Sequence, residues 1–147
     1  MSTGLDAEQI EMWEYWGPST VKSKDLNSYA KECHDASASN GWWNCPHTGE
    51  DLLSNPSYAP YVIATKIALI HSETSEMLEG HRRTAKDDKL THRDAAEVEA
   101  VDALIRIFDL AGKMGWDLQG AYNEKMVFND SRPDHKVAQR KAGGKLY

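Results

Sequence analysis

Three glutamates recur at every third position in the segment Lys66–Gly80. Glu73, Glu76 and Glu79 stand among apolar residues that follow the periodicity of an amphipathic helix. Like charges three or four residues apart on a helix repel each other by a few tenths of a kcal/mol. On a helical wheel Glu73 lies at the edge of the apolar face, Glu76 about 60° further round and Glu79 as far again. We therefore predict that Glu73 and Glu76 border the core and that Glu79 faces solvent.

A second segment, Glu97–Gly115, is apolar over most of the circumference of a helix, which predicts a buried helix. Four polar side chains form one narrow stripe on it, and they are Glu99, Asp102, Arg106 and Asp109. Buried charge without a partner costs several kcal/mol, and one arginine neutralises only one acid. The stripe is therefore expected to meet a cation or an opposing helix.

Two antiparallel helices would bring Glu73 and Glu76 opposite Glu99 and Asp102. Four carboxylates around one point are hard oxygen ligands, which Mg²⁺ and Mn²⁺ prefer. None of the six histidines follows a glutamate by three residues, as a di-iron bundle of the Glu-x-x-His type requires. The four acids thus predict a magnesium or manganese site.

Helices separated by short breaks must position these acids. The 147 residues suit one domain, and no alternating apolar run with hairpin signals predicts a strand. We expect an all-α fold whose four core helices run over residues 25–39, 59–83, 94–113 and 117–129. The long ordered loop 41–60, rich in Gly, Pro, Asn and Ser, is of a kind that is often functional. Residues 1–22 are predicted to form an irregular arm, residues 23–136 the domain, and residues 137–147 a basic, loose tail.

Composition limits the function classes. The net charge of -6 argues against a nucleic-acid polymer as partner, because phosphate-backbone binding needs a basic surface. A nucleotide accompanied by a divalent cation remains compatible with it. The chain has no run of eighteen apolar residues, no secretory signal pattern and only two cysteines, so we expect a cytoplasmic protein without a membrane span or a disulfide framework.

The motifs resemble those of a known family. Glu73-x-x-Glu76, followed on the next helix by Glu99-x-x-Asp102, resembles the signature of the MazG-like all-α nucleoside triphosphate pyrophosphohydrolases. "KIALIHSETSEMLEG" and "EVEAVDALIRIFDLAGKMGWDL" resemble the core helices of that family, and "NEKMVFNDSRP" resembles its closing segment. "AKECHDASASNGWW" is similar to the first helix and Gly-Trp-Trp turn of a small, often phage-encoded subset. The resemblance covers about residues 24–136.

This resemblance implies a helical bundle of about four core helices that is completed by dimerisation, often into a tetramer. It implies cleavage of a nucleoside triphosphate between the α and β phosphates with Mg²⁺, or Mn²⁺, as cofactor. Glu73, Glu76, Glu99 and Asp102 would be the metal ligands, and Glu73 or Glu76 would also orient or deprotonate the attacking water. The phage-type subset favours dGTP as substrate and control of a nucleotide pool, in the host cytoplasm, as the role.

Other residues are candidates for holding the substrate. Lys125 and Asn129 are four residues apart on the fourth predicted helix, and Arg132 follows within a turn. Lysine and arginine both bind phosphate, and the three residues match the family's closing segment. Trp42 and Trp43 are candidates for stacking on the base, which contributes about 1–3 kcal/mol per base in single-strand binding. At least one of the two tryptophans is expected to be a core or interface residue instead.

Two other interpretations stay open. A zinc site would use Cys33, His34, Cys45 and His47, although their spacing fits no standard zinc finger. Alternatively, Arg106 pairs with Asp102 and Asp109, and the chain is a non-enzymatic helical interaction protein with a salt-bridged stripe. A metal-loaded regulator that binds a nucleotide without cleaving it is a further class.

Overall fold

The structure, a computed structural model, describes residues 24–132, 134 and 136–143. Over these residues the chain forms five α-helices, and they are α1 (Leu26–Ser39), α2 (Ala59–Arg83), α3 (Ala95–Met114), α4 (Leu118–Ser131) and α5 (Val137–Lys141). In the same residues β-structure is limited to two isolated antiparallel bridges, Asn44–Asp51 and Lys86–Asp94, within the connections that flank α2. The predicted all-α fold is confirmed, whereas the predicted N-terminal arm lies outside the described residues.

Three helix ends, the starts of α1 and α4 and the end of α3, lie at capping residues that the sequence provides. Asp25 caps α1 and accepts a hydrogen bond from the Ser28 amide at 2.7 Å, and Asp117 caps α4 by accepting one from the Gly120 amide at 2.9 Å. Gly115 ends α3 with a φ of 65°, a left-handed conformation that glycine adopts without strain. The four predicted helices are all present, and the largest difference is that α4 continues to Ser131.

Helix α3 is the centre of the fold and packs against both α1 and α2. Helices α2 and α3 run antiparallel, because Gly80 lies against Ala95 at the start of α3 while the earlier Glu73 contacts the later Arg106. The buried acid Asp87 stabilises the connection between them, because its carboxylate accepts a hydrogen bond from the backbone N–H of Lys89 at 3.0 Å. The pairing that the acid motifs require is therefore built by a short, ordered connection.

Helices α1 and α3 cross closely at Gly112. A Cβ at this position would lie 2.5 Å from the carbonyl oxygen of Ala30 and 2.5 Å from the Cβ of His34. Ala30 and Ala111 are both buried beside the crossing. Small residues thus let the two backbones approach, and this brings the polar side chains of α1 within reach of α3.

The apolar core of the described residues is small, and its fully buried hydrophobic members are Ala30, Trp43, Ala103, Leu110 and Ala111. On α3, by contrast, Val101, Leu104 and Ile105 are 49%, 48% and 44% exposed. The expectation that α3 is buried all round is wrong for the single chain, because α1 and α2 cover only part of its circumference. The predicted apolar face of α2 is also incompletely covered, since Leu78 is 57% exposed.

Helix α4 is attached to the rest of the chain at its first turn. The Asn27 side-chain amide donates to Asp117 at 2.8 Å, and the Gln119 amide donates to the Asn27 side chain at 3.1 Å. Beyond this junction α4 has little contact with α2 or α3. Its outer part is largely exposed, and the apolar residues concerned are Tyr122, Met126, Val127 and Phe128.

The C-terminal region differs from the prediction in one respect. Residues Val137–Lys141 form the short helix α5, where the sequence predicts a loose tail. None of the helices in the described part of the chain combines the length and apolarity that a membrane span needs.

Candidate metal centre

Three glutamates from two helices converge on one point. Glu73 and Glu76 of α2 and Glu99 of α3 each offer a carboxylate oxygen, and these oxygens lie within 4.8 Å of one another. Among the described residues this is the one group of three or more His, Cys, Asp or Glu side chains close enough to share a metal ion. The antiparallel pairing of α2 and α3 thus brings together three of the four acids that the sequence nominates.

The three glutamates form a gradient from the interior to the surface. Glu73 is only 6% exposed, Glu99 is partly buried and Glu76 is exposed. Glu73 was expected at the border of the core and is instead inside it. Glu79, expected to face solvent, is only partly exposed, and its carboxylate forms an ion pair with the Nε of Arg83 at 2.5 Å. Glu76, expected at the border of the core, is exposed instead.

Burial and the repulsion of nearby carboxylates raise the pKa of Glu99 in the cluster and of Asp102 beside it. Burial raises the pKa of Glu99, and the charge of Glu76 and the contact with Glu73 raise it further. Burial also raises the pKa of Asp102, with an added effect from the charge of Glu73, whereas Arg106 acts in the opposite direction. Both carboxyls therefore hold protons more tightly than usual, as expected for like charges brought together.

Asp102, the fourth predicted ligand, lies next to this group but outside it. It is on α3, three residues after Glu99, and it is partly buried. Its pKa responds to the charge of Glu73, so the two carboxyls are neighbours. The set whose oxygens all lie within 4.8 Å does not include Asp102.

Arg106 is the cation that contacts this cluster. Its Nε donates to Oε1 of Glu73 at 2.5 Å. The side chain of Glu73 is 8% exposed and that of Arg106 is 41% exposed. The interpretation in which Arg106 pairs with Asp102 and Asp109 is not what the structure shows, because its ion pair is with a residue of α2.

Asp109 belongs to a different cluster. Its Oδ1 accepts a hydrogen bond from Nε1 of Trp43 at 2.7 Å and lies 3.0 Å from Nδ1 of His34, and its Oδ2 accepts one from Oγ of Ser37 at 2.9 Å. The carboxylate is buried. The polar stripe of α3 is therefore divided, since its first part faces α2 and its last residue faces α1 and the following loop.

The Asp109 cluster was not predicted from the sequence. His34 and Ser37 are three residues apart on α1 and share a face, which was the available signal. Trp43 lies outside any helix, in the loop after α1, and no periodic pattern links it to α3. The close crossing at Gly112 brings His34 and Ser37 of α1 to Asp109, and the loop after α1 brings Trp43 there.

The two neighbouring tryptophans have different environments. Trp43 is 2% exposed, and Nζ of Lys66 lies 4.2 Å from its ring centroid. Trp42 is 69% exposed, and its carbonyl oxygen accepts a hydrogen bond from Lys66 at 3.1 Å. Trp43 is thus a core residue, and of these two tryptophans only Trp42 exposes its indole ring.

The three candidate phosphate-binding residues stand apart from the glutamates. Lys125, Asn129 and Arg132 belong to α4 and its end, and α4 does not pack along α2 or α3 in the chain. Nζ of Lys125 lies 4.8 Å from the ring centroid of Phe128, and Arg132 forms two hydrogen bonds with Asp134. Oδ1 of Asn129 is buried and has no hydrogen-bond partner within the described residues.

The zinc interpretation finds no support. Cys33 and Cys45 are free thiols, and His34 is engaged by Asp109. The described residues do not bring these side chains and His47 together as a metal-binding group.

Comparisons of the chain with protein-family models, with curated proteins and with solved structures find no match. The interpretation of the site therefore rests on its own residues and on their geometry.

Proposed function

We propose that the chain is a metal-dependent hydrolase that converts a (deoxy)nucleoside triphosphate to the monophosphate and pyrophosphate. The convergence of Glu73, Glu76 and Glu99 to within 4.8 Å, with Asp102 beside them, is the observation that carries the proposal. A set made only of carboxylates fits Mg²⁺ or Mn²⁺ better than zinc or copper. The resemblance of the same motifs to the MazG-like pyrophosphohydrolases supports the choice of reaction.

The glutamates have different proposed roles because their surroundings differ. A bound divalent cation would polarise a phosphoryl oxygen and lower the pKa of a coordinated water. Glu73 is buried and fixed by Arg106, so it suits the role of a ligand with a constant position. Glu76 is exposed and forms no ion pair with any described residue, so it suits a residue that orients the attacking water or accepts its proton.

We propose that a second copy of the chain completes the substrate site. Val101, Leu104 and Ile105 leave an apolar face of α3 exposed, and Lys125 and Arg132 stand on a helix that does not reach the glutamates within one chain. In a homodimer or homotetramer, α4 of one protomer would cover α3 of its partner and bring its cations to the acids. Size-exclusion chromatography with light scattering should then give a dimer or tetramer, and a monomer that hydrolyses nucleotides would contradict this arrangement.

The base has one proposed contact, the exposed indole of Trp42. Stacking on an indole accepts any base, so this residue does not select among nucleotides. The choice of dGTP as substrate rests on the likeness to the phage-type subset alone.

A nucleotide panel tests the reaction. Each ribo- and deoxynucleoside triphosphate is incubated with Mg²⁺ or Mn²⁺, and the monophosphate and pyrophosphate are measured. Glu76→Gln and Asp102→Asn should each lower turnover by about 100-fold or more, since loss of a proton acceptor or of support for a bound metal typically has an effect of this order. Glu79→Gln is the matched control, because Glu79 lies on the same helix but outside the convergent group and pairs with Arg83. Wild-type activity in both site variants would rule out the assigned metal centre.

The ion pair between Glu73 and Arg106 and the exposed apolar face of α3 also fit a non-enzymatic interaction protein. Such a protein would turn over no nucleotide and would bind no divalent metal in calorimetry. A metal-loaded regulator would bind a nucleotide without releasing pyrophosphate, so the same experiments separate the three classes.

A further inference from the structure

The contact between Arg106 and Glu73 has a second consequence, beyond holding the proposed ligand in place. Its Nε donates to Oε1 of Glu73, a single contact rather than the two-bond fork that arginine often forms with a carboxylate. The arrangement leaves Oε2 of Glu73 outside this hydrogen bond. The same carboxylate is thus within reach of two cations, the guanidinium and a metal ion shared with Glu76 and Glu99.

We infer that Arg106 is the resident counter-charge of the metal centre: it stabilises Glu73 in the metal-free protein, and it weakens divalent-cation binding by sharing that carboxylate. The inference rests on the proposed function, since it presupposes that the glutamates bind a metal.

Arg106 stabilises the metal-free protein because its partner Glu73 is buried. Glu73 is the most buried acid of the group, and removing the cation that pairs with a buried carboxylate is strongly unfavourable. No other described lysine or arginine forms an ion pair with Glu73, Glu76, Glu99 or Asp102. An arginine cannot deprotonate at any physiological pH, so its charge is permanent.

Arg106 weakens the binding of a divalent cation because the two positive charges repel each other. A metal ion bound to Glu73 would lie within a few ångströms of the guanidinium, in a partly buried place where charges are poorly screened. Asp102 and Arg106 are four residues apart on α3, so the positive charge of Arg106 also reaches a second proposed ligand. Removing this charge should leave the acids more negative and should strengthen their hold on a divalent cation.

The test uses Arg106→Gln and Arg106→Lys in the full chain, with Arg93→Gln as the matched control. Arg93 forms an exposed ion pair with Glu97 at 2.9 Å near the start of α3, away from the glutamates that converge. Mn²⁺ binding to the metal-free protein is measured by calorimetry, and the melting temperature is measured with and without Mn²⁺. These readouts do not depend on activity.

Arg106→Gln should lower the melting temperature of the metal-free protein by several degrees and should lower the dissociation constant for Mn²⁺ about tenfold or more. Arg106→Lys keeps the charge and should bind Mn²⁺ with an affinity within about twofold of the wild type. Arg93→Gln should change neither quantity. If Arg106→Gln does not fold without metal, recovery of its folded state on addition of Mn²⁺ supports the inference, and no recovery overturns it.

Unchanged or weaker Mn²⁺ binding by Arg106→Gln would overturn the inference while leaving the proposed hydrolase intact, provided that the wild type binds Mn²⁺. A higher KM for the nucleotide, with unchanged Mn²⁺ affinity, would also overturn it and would assign Arg106 to the substrate phosphates. A wild-type chain that binds no Mn²⁺ and hydrolyses nothing would instead remove the proposed function itself.

Discussion

Helix α3 contributes acids to two clusters with opposite electrostatic balance. Asp109 has polar atoms of Trp43, His34 and Ser37 within hydrogen-bond distance of its carboxylate. Glu99, two to three turns earlier, faces the two carboxylates of α2, and Arg106 is the cation that contacts that group.

The difference shows that burial of an acid does not by itself indicate a functional site. Asp109 and Glu73 are about equally buried, at 8% and 6% exposure. The distinction lies in the partners, because donors match the acceptor oxygens around Asp109 whereas acids outnumber cations around Glu73. We therefore propose that Asp109 contributes to stability and that the glutamates bind a metal.

The largest expected effect is that of Asp109→Ala on stability. The substitution leaves the buried indole N–H of Trp43 without its acceptor and removes two further contacts, so we expect the free energy of unfolding to fall by about 3 kcal/mol. Denaturant unfolding monitored by tryptophan fluorescence measures the change. Asp35→Ala is the control, since Asp35 is exposed on α1, and it should change stability by less than about 0.5 kcal/mol. A similarly small effect of Asp109→Ala would show that the Asp109 cluster does not stabilise the fold.

A divalent metal should act on one cluster only. At a Mn²⁺ concentration of about 100 times its dissociation constant, the free energy of unfolding should rise by about 2.7 kcal/mol. We expect this gain in the wild type and in Asp109→Asn, but not in Glu76→Gln. Thermal unfolding with and without Mn²⁺ measures it. Loss of the gain in Asp109→Asn would show that the clusters are coupled through α3.

The sequence predicts helices better than it predicts the neighbours of their side chains. The end of α3 at Gly115 and the start of α4 at Asp117 could be predicted because capping signals are local. The convergence of Glu73 with Glu99 could be predicted because two amphipathic helices joined by a short connection pack antiparallel.

The division of the polar stripe of α3 could not be predicted. It depends on the close crossing at Gly112 and on the loop after α1, which places Trp43 against Asp109. The exposed face of α3 could not be either, since a helical wheel does not show how many neighbours a helix has.

Glu99→Gln should have a small effect of the opposite sign to that of Asp109→Ala. It removes one of several like charges, so the metal-free protein should become more stable by a few tenths of a kcal/mol. Denaturant unfolding in the presence of a chelator measures the change. Glu97→Gln, two residues earlier on the same helix, loses an exposed pair with Arg93 and should be neutral or slightly destabilising. A destabilised Glu99→Gln would mean that the glutamates are already compensated without a metal.

The smallest expected effect is on the pH dependence of stability. Glu99 and Asp102 have raised pKa values in the folded chain, so the folded state binds their protons more tightly than the unfolded state does. Their contribution to stability is present at low pH and is lost as pH rises above their ordinary values of 4.5 and 3.8. The double variant Glu99→Gln/Asp102→Asn should therefore gain stability relative to the metal-free wild type as pH rises from these ordinary pKa values to the raised pKa values of the folded chain. Parallel stability curves for the two proteins would contradict the pKa shifts.

Gly112 also limits how the chain can diverge in evolution. The atom that a Cβ would meet is a backbone oxygen of Ala30, so no change of rotamer could make room for it. A larger residue at 112 would push α1 away from α3 and would separate Asp109, one turn earlier, from its donors on α1. The aspartate and the glycine three residues after it should therefore be kept or lost together in divergent descendants, whereas the proposed metal-binding acids can vary independently of this pair.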